Sequence, residues 1–127
     1  MNEPPDPAPK LGRFRLRGFA DAFHGIGLVL RTQANARIHA AATVAVAALG
    51  LSLGLSRIEW VAIVGVVTLV WVAEALNTAV EFTIDLVSPE YRRLAGWAKD
   101  AAAGAVLLAS IGAVLVGLLV FGPKLFK

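Results

Sequence analysis

Apolar positions along this chain gather into three long blocks, preceded by a segment in which they recur every three or four residues. The first block is Ile38 to Leu55, "IHAAATVAVAALGLSLGL". As a helix rising 1.5 Å per residue it would be about 27 Å long, close to the thickness of a hydrocarbon core. The second starts near Ile58, is apolar to Ala73 and continues without a breaker to Val87. That helix would measure about 45 Å, so its polar last third should leave the bilayer core or lie at its edge. The third block follows "SPEY", with Ser88 as N-cap and Pro89 in the first turn, and its apolar part runs from Ala101 to Phe121. Ahead of all three, Phe19, Phe23, Ile26 and Leu30 share one helical face, while Arg17, Asp21, His24 and Arg31 share another. This pattern predicts an amphipathic helix lying in a membrane interface.

The expected architecture is all-α and integral to the membrane. A disordered proline-rich tail (1–12) precedes a single domain (13–127), built from a surface helix (13–36) and spans at about 38–55, 58–87 and 89–121. Composition agrees: 57% of the 127 residues are hydrophobic and 17% charged, more apolar surface than so small a soluble fold could hide. With no cysteine, thiolate metal sites and cysteine nucleophiles are excluded. The net charge of +3 sits beside apolar segments, which suits anionic lipid headgroups and not nucleic acid. Lys10, Arg13, Arg15, Arg17, Arg31, Arg37, Arg92, Arg93 and Lys99 would share one side, against Arg57, Lys124 and Lys127 on the other. The positive-inside rule then places the N-terminus in the cytoplasm and the C-terminus outside.

Candidate chemistry lies at the end of the second block, in "EALNTAVEFTID". At 100° per residue, Glu74, Asn77, Glu81 and Asp85 fall within about 80° of one another, a polar stripe some 16 Å long with Thr78 at its flank. Ionisable groups beside hydrocarbon are costly, so the stripe should face the bundle interior or a polar cleft. The plain alternative is that these acids pair with basic groups and solvate a helix end. Oxygen-bearing side chains on one face also suit a hard cation such as Mg²⁺ together with phosphates, and leave one carboxylate as a general base. In "YRRLAGWAKD", Lys99 and Asp100 begin the third block, where a lysine could offset phosphate charge. Interfacial snorkelling explains Arg92 and Arg93 equally well. His24 and His39 stand alone in the sequence and suggest no metal site. No Gly-rich phosphate loop, G-x-S-x-G or HExxH is present.

The stretch Glu74 to Ser110, with E-x-x-N-[ST]-x-x-E-x-x-x-D followed by A-K-D, resembles the signature of the small prokaryotic diacylglycerol kinase and undecaprenol kinase family. "NARIHAA", Asn35 to Ala41, is a second and weaker match. The resemblance implies a three-span homotrimer that phosphorylates a lipid hydroxyl with ATP and Mg²⁺ in the bacterial cell membrane. It implies Glu74 as catalytic carboxylate, Glu81 as metal ligand, and Asn77 and Asp85 as further members of the catalytic motif. Glu90, Tyr91, Arg92, Lys99 and Asp100 correspond to nucleotide-contacting positions, and Asn35 and Arg37 with Glu74 to the lipid side. One of Arg13, Arg15 and Arg17 would reach ATP, with Arg17 carried forward as the candidate. Two positions depart from the pattern: Gln33 stands where a second metal glutamate is expected, and Arg92 where a histidine is familiar. "KDAAAGAVLLAS" is similar to the undecaprenol kinase branch. A carboxylate-based ion or proton-coupled transporter is the alternative, but it would need polar residues through the spans, where Val61 to Val72 offers only Thr68.

Overall fold

The structure, a computed structural model, describes residues 14–127, with side chains from Arg17 onward; the expected tail lies outside the described residues. Four helices follow one another: α1 (Phe14–Thr32), α2 (Ala34–Leu53), α3 (Arg57–Val87) and α4 (Arg93–Leu125). The last three are long and apolar enough to cross a membrane, and the protein is a multi-pass membrane protein. Its surface agrees. Leu51, Leu108 and Leu119 are among many exposed large side chains, whereas Glu74, Asn77 and Thr78 are buried. Lipid, not water, is the solvent such a surface matches.

Short connections fix the order of the helices. Gly54 ends α2 at φ 65, a left-handed cap that glycine adopts without a Cβ penalty. Ser56 then opens α3 with a capping box: its hydroxyl accepts from the Glu59 N–H, and Glu59 Oε2 accepts from the Ser56 N–H at 2.7 Å. Lys124 lies 3.3 Å from that same Glu59 carboxylate, tying the end of α4 to the start of α3. Beside this joint Leu55, Ile63 and Phe121 form a buried cluster with Trp60 packed against it. Gly50 makes room there: a Cβ would come within 2.7 Å of the Trp60 ring, which would have to shift.

α3 and α4 make the most extensive helix contact and run antiparallel. Val70, Val106 and Ala109 are buried along them. Their connection corrects one expectation. Ser88 does not start α4; it is the C-cap of α3, donating its N–H to the Ile84 carbonyl at 2.8 Å. Pro89 biases the residue before it away from helical geometry, so α3 stops at Ser88 and α4 begins only after Arg92, its extended N-cap.

At the same end of the bundle α1 passes into α2 through a single extended residue, Gln33 (φ −104, ψ 120). Arg37 closes this bend by donating to the Leu30 and Arg31 carbonyls at 3.4 and 3.2 Å, satisfying acceptors the helix end leaves free. Val29 and Ala36 are buried on the inner side of α1 and α2, while Phe19, Phe23 and Ile26 are exposed.

Candidate active site

The polar stripe of α3 grades from dry to wet. Glu74 is 1% exposed, Asn77 7%, Glu81 half-buried and Asp85 exposed. An uninterrupted α-helix sets their spacing, and the packing of α2 and α4 over its upper part sets their burial.

Glu74 is the unusual member. Neither carboxylate oxygen has a hydrogen-bond partner. The neighbouring Thr78 hydroxyl donates to the Glu74 backbone carbonyl at 2.9 Å, not to its side chain. The ionisable side chain that approaches it is His39 on α2, with Nε2 at 3.8 Å from Oε2. A buried carboxyl with no donor is costly, and such sites recur where proton transfer is needed.

One and two turns along, the stripe becomes a small polar cluster. Glu81 accepts from the Gln33 amide at 3.0 Å through Oε2, and from the Asn77 amide at 3.4 Å through Oε1. Gln33 and Glu81, from different helices, are thereby brought together. One carboxylate and two amides make a donor set with a single anion. Among the described residues no three His, Cys, Asp or Glu side chains could hold a metal ion. The set fits a hard divalent cation that brings its remaining charge and oxygen ligands with a phosphate group. Both amides would then turn their oxygens inward.

Farther out, Lys99 of α4 pairs with Asp85. Asp100, Glu90, Tyr91 and Arg92 are exposed around the α3–α4 connection, and Arg93 lies over the Trp97 ring at 4.9 Å. None of the ion pairs among the described residues involves Asp100 or Glu90. Of the three N-terminal arginines considered for a nucleotide contact, only the Arg17 side chain is among the described residues, and it is exposed. Arg37, a candidate for the lipid side, is engaged with α1 carbonyls.

A cavity of about 240 Å³ opens onto Glu74 between α2, α3 and α4, lined also by Asn35, His39, Asn77, Val106 and Ser110. His39 and Ser110 also line a second cavity of about 370 Å³, which continues among valines of the same three helices. His39 is isolated in the sequence, yet the fold sets it beside Glu74. Its four-residue spacing from Asn35 puts both on one face of α2, but only the packing of α2 against α3 turns that face toward this cavity. The arrangement places a buried carboxyl without a hydrogen-bond donor at the junction of an apolar groove and a charged rim. That suits group transfer between an amphiphile and a soluble polyanion.

Comparison with known proteins agrees with this chemistry. Residues 20–121 match the family model described as prokaryotic diacylglycerol kinase. The chain is 43% identical over 116 residues to the undecaprenol kinase of Bacillus subtilis, covering 91% of this chain and 94% of that protein. It is also 43% identical over 113 residues to the diacylglycerol kinase of Synechocystis, covering 88% of this chain and 65% of the relative. With the Escherichia coli diacylglycerol kinase it shares 41% identity over 63 residues, 50% of this chain and 52% of the other. Its relatives and its three membrane-crossing helices make this an integral-membrane lipid kinase. The chain belongs to the prokaryotic diacylglycerol kinase family, and as a kinase it takes a nucleotide co-substrate.

Proposed function

We propose that this protein transfers the γ-phosphoryl group of ATP, in the presence of Mg²⁺, to the hydroxyl of a polyprenol, undecaprenol in preference to diacylglycerol. The observation that carries the reading is Glu74, a buried carboxylate without a hydrogen-bond donor that lines a groove between α2, α3 and α4. A lipid alcohol entering that groove would meet an oxygen free to take its proton. The relative matched over nearly its whole length is an undecaprenol kinase, which supports the preference for undecaprenol.

In this mechanism Glu74 accepts the hydroxyl proton as the alcohol oxygen bonds to the γ-phosphorus and the bond to the ADP oxygen breaks. The transition state is loose, so the remaining residues mainly position groups and neutralise charge. Glu81 with Gln33 and Asn77 would hold Mg²⁺, which neutralises charge on the phosphates when bound. Lys99, fixed by Asp85, supplies further positive charge, and Arg17, Glu90, Tyr91, Arg92 and Asp100 form the exposed rim that receives the nucleotide. Asn35 lines the lipid-side cavity; Arg37 serves by bracing the α1–α2 bend. The protein acts as a homotrimer in the bacterial cell membrane. Its N-terminus and site face the cytoplasm near anionic headgroups, and its C-terminus lies outside.

The test is a bilayer-reconstituted assay with ATP, Mg²⁺ and equimolar undecaprenol and diacylglycerol. Undecaprenyl phosphate should dominate several-fold. Preferential phosphorylation of diacylglycerol would overturn the lipid assignment, and phosphorylation of neither would overturn the acceptor class.

A further inference from the structure

We infer that His39 is a positioning residue for the reaction: its Nε2–H holds Glu74 Oε2 and so turns Oε1 toward the lipid hydroxyl. The inference rests on Glu74 being the proton acceptor and adds a partner that no residue pattern in α3 supplies.

Three observations carry it. Glu74 is almost fully buried and neither of its oxygens is hydrogen-bonded, so any donor that reaches it has large leverage. His39 Nε2 is 3.8 Å away, about one ångström beyond hydrogen-bond distance, and catalytic hydrogen bonds are often long before substrate is bound. The turn carrying His39 is itself fixed. Thr43, four residues along α2, accepts from the Trp71 indole N–H at 3.1 Å and donates to the His39 carbonyl at 2.7 Å. Stepping four residues along α2, from His39 to Thr43, matches stepping three back along α3, from Glu74 to Trp71. The two contacts are adjacent rungs between antiparallel helices.

Of the other side chains lining the cavity at Glu74, Asn35 of α2 and Ser110 of α4 carry donors, but neither is hydrogen-bonded to Glu74, and none is ionisable. Asn77 directs its amide to Glu81. A bidentate carboxyl with one oxygen held and one free has a defined basic lone pair, whereas an unheld one must be ordered in each turnover.

The experiment compares His39→Ala, His39→Gln and His39→Leu with the parent protein, reconstituted in bilayers with ATP, Mg²⁺ and the lipid acceptor. Glu74→Gln serves as a separate control. The Ala and Leu variants should lose about tenfold or more in kcat with KM for ATP and lipid little changed, since the contact acts on proton transfer. His39→Gln, whose amide N–H reaches about as far as Nε2, should recover to within about threefold of the parent. The Gln and Leu pair, similar in volume, keeps the comparison valid should the Ala variant fold poorly. If Gln is no better than Leu, or if all three retain parental kcat, His39 only packs and the inference falls. If Glu74→Gln itself remains active, the assignment of Glu74 fails instead.

Discussion

The two long seams of this bundle are built differently. Between α3 and α4 the contact is apolar over its length, from Val70, Val106 and Ala109 to the cluster of Leu55, Ile63 and Phe121, and ion pairs appear only at the two ends. Between α2 and α3 the packing is sparser and carries polar rungs: Trp71 to Thr43, Glu74 to His39 and, at the α1–α2 bend, Glu81 to Gln33. Within lipid, apolar side chains gain little by leaving hydrocarbon for one another, so close packing and interhelical hydrogen bonds hold helices together. The apolar seam makes a frame. The polar seam places chemistry against it.

The comparison predicts that substitutions along the polar seam alter turnover more than assembly. The largest effect is expected for Glu74→Gln, nearly isosteric but unable to accept a proton at neutral pH. Lipid phosphorylation should fall by about a hundredfold or more while helicity and oligomer size are kept. Residual activity above a tenth of the parent, measured in the same bilayer assay, would break the contrast at its centre.

Gly50→Ala probes the frame. The added methyl meets the Trp60 ring edge, and such overpacking costs about 1–3 kcal/mol. Unfolding in detergent should therefore show a loss of stability, with kcat per folded molecule preserved.

Gln33 sharpens the polar seam. An added carboxylate in Gln33→Glu should lower the Mg²⁺ concentration giving half-maximal activity, while Gln33→Ala should reduce activity at every Mg²⁺ level. Titrating Mg²⁺ at fixed ATP reads both. Two unmoved curves would leave Gln33 as a simple hinge.

Trp71→Phe removes one rung and keeps a ring in place. Interhelical hydrogen bonds in membranes average about 0.6 kcal/mol, so the stability change should be small, with a few-fold loss of kcat through a looser His39. A stability change as large as that of Gly50→Ala would erase the distinction between the seams.

How much of this was written in the sequence follows from range. Three spans could be read because each helix is defined by its own run of apolar residues. The alignment of Glu74, Asn77, Glu81 and Asp85 could be read because a helix fixes angles locally. Gln33 was marked by its resemblance to a metal position, although its contact with Glu81 depends on the α1–α2 bend. His39 was not legible: its significance depends on the register of α2 against α3, and nothing within "NARIHAA" states that register. Ser88 misled for the opposite reason. A serine before a proline looks like a helix start, yet Ser88 is already committed as the last turn of the preceding helix.

The 20 residues of α2 span about 30 Å, against roughly 46 and 50 Å for the longer α3 and α4. Bilayer thickness therefore bears on this molecule mainly through its shortest member. A thicker membrane would draw α2, and α1 with it, outward while α3 and α4 have length to spare, shearing Gln33 from Glu81 and His39 from Glu74. Hydrophobic mismatch of this kind costs only fractions of a kcal/mol per ångström, but it falls on the seam that holds the buried Glu74. Activity should therefore depend on how well the acyl-chain length of the surrounding bilayer matches α2.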